Sequence, residues 1–381
     1  MILAIDGYEA NVSHRVGIGR YAYEILCWLH ALLANRDDIT VRVYLPSQPR
    51  GDMPKAGPHW MYCVRKPSKL WTFIALPLSI YRDSPKADVV FSPTHYVPRF
   101  ISTPRVMSVM DLSYLYFPEL FRNKDLLQLT EWTKYSVSKA SAVLTISEYS
   151  KNDIIKMYGK RSAAVHVTYP GLSMPSQKKD PPTATDIFKK YSLPKRFILS
   201  VGTIQPRKNY EKLIEAFSLF LKAEPEKSGD INLVIIGKKG WLFEGILRSS
   251  ETHGVKSKVK FLDFVPDGEL PTFYRCASCF ALPSLYEGFG LPVLEAMANE
   301  CPVVVSNVSS LPEIAGDAGI YVDPNSPSDI ASGLVKATRE RNQAAGRSRV
   351  RSGLKQVQRF TWEKAAKQTL NVLEQVAAKR I

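Results

Sequence analysis

The stretch Ser284-Leu-Tyr-Glu287-Gly288-Phe289-Gly290-Leu291-Pro292-Val293-Leu294-Glu295-Ala296-Met297 carries two carboxylates eight residues apart around a glycine-flanked turn. The apolar run Cys279–Leu282 precedes it, and Pro292 falls where a helix tolerates a missing N–H, so the segment reads as strand, turn and helix. Exposed amides of Gly288, Phe289 and Gly290, with the positive end of the helix dipole, would make a corner for an anion or a hydroxyl. Glu287 is expected in the turn and Glu295 in the first helical turn. Ionised carboxylates only accept hydrogen bonds, which suits the paired hydroxyls of a sugar or a ribose. A capped amphipathic helix with a solvated Glu295 has the same spacing, so the pair alone decides nothing.

A second stretch, Gly202-Thr-Ile-Gln205-Pro206-Arg207-Lys208-Asn209-Tyr210, follows directly on the apolar run Arg196–Val201. A glycine and two adjacent cations thus stand at the carboxyl end of a strand, where open α/β sheets bind their ligands. Arg207 offers a bidentate fork and Lys208 a point charge, together able to neutralise a diphosphate without a metal. An Arg-Lys pair is ordinarily a solvated surface. Its place at a strand end, alongside the Glu287 loop, makes it a candidate site.

Other chemistries find no support. There is no G-x-x-x-x-G-K-[ST] loop, no H-E-x-x-H and no D-x-D, and the six histidines are scattered, so no metal site is expected. Cys276-Ala-Ser-Cys279 is a lone C-x-x-C among apolar residues and reads as core thiols. Gly17-Ile18-Gly19-Arg20-Tyr21-Ala22 imitates a dinucleotide fingerprint, but Gly17 lies too far beyond the strand at 2–6 for the required tight turn, which excludes NAD there. Gly19 stays a candidate contact, because a glycine-rich loop lets a ligand approach the backbone before the helix expected from Arg20. A flexible loop with a glycine cap is the plainer reading.

The elements that must position these residues alternate. In the first half, strand-like runs at 2–5, Thr40–Leu45, 88–91, 105–110 and 142–146 are separated by helical patterns at 20–33, 126–139 and 150–158. Residues 173–187 carry three prolines and no period, which reads as a linker. The alternation then restarts at Arg196–Val201, with helices at 210–222, 243–253, 270–277 and 291–299. Between these helices lie strands at 232–236, 259–261, Cys279–Leu282 and 302–305. A helix at 362–377 closes the chain. Alternating strands and helices imply parallel sheets, here in two open α/β domains with a cleft between them.

At 381 residues two domains are the natural division, and 45% hydrophobic with 23% charged residues is a globular composition. No apolar run reaches membrane-spanning length, and MILAIDGYEA lacks a basic n-region, so neither a span nor a signal peptide is expected. Five cysteines without disulfide spacing suit a reducing cytoplasm. The formal charge of +15, heavier in the first half, favours an anionic partner such as a nucleotide or a phospholipid surface. A non-catalytic basic nucleic-acid-binding protein is the alternative of a different class that this charge would serve; its recognition motifs are absent, so no nucleic acid is expected as a partner. Residues 55–86 interleave Lys55, Arg65, Lys66, Lys69, Arg82 and Lys86 with Trp60, Tyr62, Trp71, Phe73 and Tyr81. This suits an anionic, lipid-linked acceptor and peripheral contact with the inner membrane face. A core helix with solvated flanking cations fits equally.

GTIQPRKNY (202–210), FLDFVPDGELPTFYRCA (261–277) and SLYEGFGLPVLEAMANECPVVVSNVSSLPEIAGDAGIYVDP (284–324) together resemble the group-1, family 4 retaining glycosyltransferases of the GT-B fold. GIGRY (17–21), MDLSYLYFPEL (110–120) and TISEYSKNDI (145–154) extend the resemblance through most of the chain. It implies two Rossmann-like domains with parallel sheets facing across a cleft. Residues 1–180 would bind the acceptor and 181–359 the nucleotide sugar, and 360–381 would return to the first domain. It further implies that Glu287 and Glu295 hold the donor sugar and ribose, that Arg207 and Lys208 hold the diphosphate, and that the turn from Gly288 and Phe289 through Gly290 to Leu291 contacts the donor. The base would lie near backbone groups of Gly237 and Val265. The family often places His-Asp on a strand-end loop of the first domain. Here the pair is Met110-Asp111, so Asp111 is the candidate and His95 a substitute imidazole. The implied reaction is metal-independent hexose transfer with retention, from GDP-mannose or a UDP-sugar to a lipid-linked or oligosaccharide acceptor. Mannose is favoured by similarity to mannosyltransferases of surface-polysaccharide assembly. A phosphorylase or an epimerase on the same scaffold is the enzyme alternative.

Overall fold

A computed structural model describes residues 1–173, 183–225 and 229–379. The chain divides into two units, Met1–Ser173 with Phe360–Ile381, and Met174–Arg359.

Unit 1 is built on strands β1 (Ile2–Asp6), β2 (Thr40–Leu45), β3 (Trp60–Val64), β4 (Val89–Ser92), β5 (Arg105–Val109), β6 (Ala142–Thr145) and β7 (Val165–Val167). All pair in parallel, in the order β3-β2-β1-β4-β5-β6-β7. Central strands covered on both faces must be apolar throughout, and Leu3, Ala4 and Ile5 have no exposed surface. Those runs are visible in sequence. The edge strands β3 and β7, with one side uncovered, are short and mixed (WMYCV, VHV) and were not anticipated.

The closing helix Trp362–Ala378 belongs to this unit. Thr361 caps it by accepting from the Lys364 amide, and Ala365, Ala366 and Leu373 are buried. Trp362 lies against Tyr21 of the helix Ile18–Leu32 at 5.9 Å between ring centroids, and its Nε1 donates to Ser173 Oγ at 3.1 Å. A Cβ on Gly171 would stand 2.2 Å from the Trp362 nitrogen, so the backbones cross where only glycine fits.

Unit 2 carries β8 (Arg196–Val201), β9 (Ile231–Ile236), β10 (Val259–Leu262), β11 (Cys279–Leu282), β12 (Val303–Ser306) and β13 (Gly319–Val322), also wholly parallel, in the order β10-β9-β8-β11-β12-β13. Tyr210, Phe217 and Phe220 from the helix Tyr210–Ala223 fill one face. Two further helices, Pro327–Glu340 and Ala344–Val357, and the edge strand β13 were not read from the sequence.

Of the linker expected at 173–187, residues 174–182 lie outside the described residues. Its end is helical instead. The helix Ala184–Tyr191 opens with a capping box in which Thr183 and Asp186 bond reciprocally, so the polar TATD run is a helix start.

Candidate functional site

In unit 2 the strand order reverses between β8 and β11, and open α/β sheets leave a ligand crevice beyond the carboxyl ends at such a point. Both candidate stretches emerge there. Gly202 follows β8, and a Cβ on Gly237, which follows β9, would meet the Gly202 carbonyl oxygen at 2.0 Å. The two strand ends therefore touch backbone to backbone. Beyond them Pro206–Lys208 forms one 3₁₀ turn, and Asn209 closes it in the left-handed region. The Asn209 side chain donates to the carbonyls of Pro283 at 2.9 Å and Pro324 at 2.7 Å. With the Leu285 amide donating to the Arg207 carbonyl at 3.0 Å, the two loops are tied into one body.

Glu287 is the centre of that body. It is buried, and its Oε1 accepts from Lys208 Nζ at 2.6 Å and from Ser284 Oγ at 2.6 Å. Oε2 takes a longer bond of 3.3 Å from Arg207 Nη1, which also donates to the Tyr286 carbonyl at 2.6 Å. Burial by itself would push the Glu287 carboxyl up, but the charges of Lys208 and Arg207 and the bonds from Lys208 and Ser284 outweigh it and hold the group below its ordinary value. Glu287 is thus an ionised, buried carboxylate that fixes two cations at a sheet's switch point. Oε1 is engaged twice; Oε2, with one long bond, keeps capacity for a hydroxyl donor.

The turn itself differs from expectation. Gly288, Phe289 and Gly290 are buried rather than open. The Glu287 amide donates to Ser309 Oγ at 3.0 Å, and Ser310 Oγ donates to the carbonyls of Glu287 and Phe289, both at 2.9 Å. The loop after β12 covers the turn because β12 is the neighbour of β11, and the serines of SNVSS were the signal for it. Gly290, at φ +103°, caps the helix Leu291–Ala298. Glu295 is its fifth residue and so lies past the first turn, where its Oε2 accepts from Tyr274 Oη at 2.7 Å. Burial first, and then this carboxylate, push the Tyr274 hydroxyl well above its ordinary range.

Gln205 was overlooked by sequence reasoning. It is buried two residues before Arg207, and its Oε1 has no partner among the described residues. Among the remaining candidates, the Gly237 amide donates to the Leu262 carbonyl at 2.9 Å, and Val265 is buried just beyond β10.

Gly19, Asp111 and His95 belong to unit 1. Gly19 sits inside the first turn of the helix Ile18–Leu32, which starts earlier than expected, and is buried against the Glu9 carbonyl. Asp111 Oδ1 accepts from the Ser113 amide at 2.9 Å and its hydroxyl at 2.7 Å. The structure brings His95 to this loop: the Met110 amide donates to His95 Nε2 at 3.0 Å, which makes Nε2 the unprotonated nitrogen. Burial lowers the His95 pKa while Asp111 opposes that shift, so a neutral imidazole stands beside the aspartate. Among the described residues no group of three or more metal-ligating side chains occurs, and no helix is long and apolar enough to cross a membrane.

Two wholly parallel, Rossmann-like units, one with a cation pair at its switch point, match the GT-B architecture expected from the sequence. The comparisons agree. The model of the family described as "Glycosyl transferases group 1" matches residues 184–350. O-antigen chain mannosyltransferase B of Escherichia coli is 32% identical over 288 residues, 74% of this chain and 73% of that protein. The chain belongs to the group 1 glycosyl transferases. Among solved structures, sucrose-phosphate synthase from Thermosynechococcus elongatus superposes with a TM-score of 0.72 at 18% identity, covering 99% of each chain. Anabaena Alr3699/HepE, in complex with UDP and glucose, does so with a TM-score of 0.70 at 19% identity, covering 98% of this chain and 99% of that one.

Proposed function

We propose that this glycosyltransferase moves a hexose, mannose in preference, from a nucleotide-diphosphate sugar to a lipid-linked or polysaccharide acceptor, with retention and without a metal. The observation that carries the proposal is the Lys208–Glu287–Arg207 body at the β8/β11 switch point. When the bond from sugar C1 to the diphosphate oxygen breaks, negative charge gathers on the leaving phosphate. Two prepositioned cations meet that charge without reorganising. Their combined charge exceeds that of Glu287 by one, which leaves the site attractive to an anion. Glu287 Oε2 is the acceptor for a sugar hydroxyl, and Glu295, held by Tyr274, for the ribose. Asp111 and the neutral His95 are the polar groups of the corresponding loop in unit 1. Mannose is favoured by the O-antigen mannosyltransferase relative, and a nucleotide-sugar donor by the UDP held by Alr3699/HepE. GDP release from GDP-mannose is expected to persist in EDTA; turnover lost in EDTA and restored by Mg²⁺ or Mn²⁺ would overturn metal independence.

Membrane contact is part of the same reading. Trp60 and Trp71 are buried and belong to the core, while Tyr62 and Phe73 are half-buried. What reaches the surface is a stripe at helical spacing, Leu70, Ile74, Leu78 and Tyr81, each at least 41% exposed, flanked by exposed Lys66, Lys69 and Arg82. Each cation near an anionic leaflet contributes about 1 kcal/mol, so neutralising all three should weaken binding to phosphatidylglycerol vesicles by about 3 kcal/mol, roughly a hundredfold. Binding to such vesicles should also fall steeply with salt. A triple variant that pellets with vesicles as the parent does would make the segment an ordinary helix with solvated flanks.

A further inference from the structure

Residues 327–357 hold seven cations against two acids, so this stretch supplies five of the chain's net formal charge of +15. They form the helices Pro327–Glu340 and Ala344–Val357 of unit 2, and the site around Glu287 uses none of them. Two of the cations are tied down. Arg349 donates to Glu340 at 2.7 Å, and Arg341 donates to the Ser278 carbonyl at 2.9 Å. Arg347, Arg351 and Lys355 stand one turn apart along one face of the second helix, all exposed. Arg347 donates to the Asn342 carbonyl at 2.8 Å, and Arg351 and Lys355 have neither a hydrogen bond nor an ion pair among the described residues. Like charges one turn apart disfavour a helix, as do cations towards its amino end, and its first turn holds no acid. The stripe works against the helix that carries it.

A groove of about 810 Å³ adjoins it, between the helices Tyr210–Ala223 and Pro327–Glu340. Leu219, Ala223, Ala331 and Val335 give the groove an apolar lining, and the exposed Lys336 and Arg339 form its rim. Arg339 pairs with Glu224, whereas Lys336 has no partner among the described residues. Gln343, which precedes the helix Ala344–Val357, lines the groove as well, and its carbonyl accepts from the Arg347 amide at 3.0 Å. The apolar groove and the cationic stripe therefore meet at one end.

This combination selects among anionic partners. A bilayer surface is flat and leaves a concave apolar floor unfilled, and Leu354 is the only large apolar side chain exposed on the cationic helix. A single-stranded nucleic acid stacks its bases on aromatic rings, and among the described residues no aromatic side chain lines the groove. A protein helix satisfies both halves. Its apolar side chains fill a groove between two helices, and carboxylates one turn apart on it repeat at about 6 Å, the step between Arg347, Arg351 and Lys355. Arginine moreover pairs with carboxylate in a bidentate manner. We propose that this face of unit 2 docks an acidic amphipathic helix of a partner protein, with its apolar side in the groove and its carboxylates on Lys336, Arg347, Arg351 and Lys355. The proposal concerns what holds the enzyme in place and is independent of what the enzyme transfers.

Fluorescence anisotropy on the full chain, at about 0.15 M salt, tests this with a labelled helical peptide carrying leucines on one face and glutamates beside them. A control peptide keeps the glutamates and replaces the leucines by serine. The leucine peptide should bind, and the serine control should bind about tenfold more weakly or less. Two variants at exposed positions should each weaken the leucine peptide by about tenfold with melting temperature unchanged: Arg351→Glu with Lys355→Glu, which reverses the stripe, and Ser332→Trp, which fills the groove. No binding of the leucine peptide, equal binding of the serine control, or binding indifferent to Ser332→Trp would overturn the proposal. So would loss of binding to phosphatidylglycerol vesicles in the charge-reversed variant, which would make the stripe a lipid contact. A dimer in sedimentation that Ser332→Trp dissolves would make the occupant a second copy of this chain and overturn it equally.

Discussion

Lys208→Met is expected to lower turnover by about 10²–10³ and, at neutral pH, to destabilise unit 2 by several kcal/mol. The first effect follows from removing one of two prepositioned charges from the leaving diphosphate. The second follows from Glu287. That carboxylate is buried, and Lys208 makes its 2.6 Å bond, so the substitution leaves an ion held by Ser284 and a 3.3 Å contact with Arg207. Removing one member of a buried pair typically costs about 3–5 kcal/mol, chiefly because the other charge is stranded. Adding Glu287→Gln should therefore restore much of the lost stability while turnover stays low. This double-mutant cycle, read by chemical denaturation and by GDP release, separates the two roles. Turnover within a few-fold of the parent in Lys208→Met would make the lysine a structural counterion only.

Asp6→Asn should act in the opposite direction on stability. The folded-state pKa of Asp6 is raised from 3.8 to about 6, so the folded chain holds this proton more tightly than the unfolded one. The resulting stability is fully present below about 3.8 and is lost as pH rises through about 6, leaving a buried charge at neutral pH. The difference corresponds to about 3 kcal/mol. Asparagine keeps an acceptor for Trp71 Nε1 and the Tyr8 amide without the charge. The variant should exceed the parent in denaturant midpoint at pH 8 and match it near pH 4. A variant equal to or weaker than the parent at pH 8 would show that the carboxylate is compensated.

What was legible in the sequence follows from where each element lies. Central strands such as Ile2–Asp6 and Arg196–Val201 are apolar on both faces and show as unbroken runs, whereas the edges β3, β7 and β13 do not. The helix Ala344–Val357 buries little beyond Gly346 and Gly353, so it carried no apolar stripe to read. In the site, Arg207, Lys208 and Glu287 were legible because their types at strand ends imply anion chemistry. Their direct pairing was not, because residues 79 and 80 apart meet only through the order of β8 and β11. The burial of the Gly288–Gly290 turn was missed for the same reason, as its cover comes from the loop after β12. Asp6 passed unnoticed because an aspartate ending a strand is unremarkable until burial shows that, among the described residues, no cation pairs with it.

The most direct measurement of the central claim is proton NMR of the product formed from GDP-mannose in the presence of EDTA, with a neutral mannoside as acceptor. The account predicts transfer at an undiminished rate, as expected when Arg207 and Lys208 alone carry the leaving diphosphate, and a product whose new linkage keeps the α configuration of the donor. A β-linked product, or transfer that stops in EDTA and resumes with Mg²⁺, would contradict it.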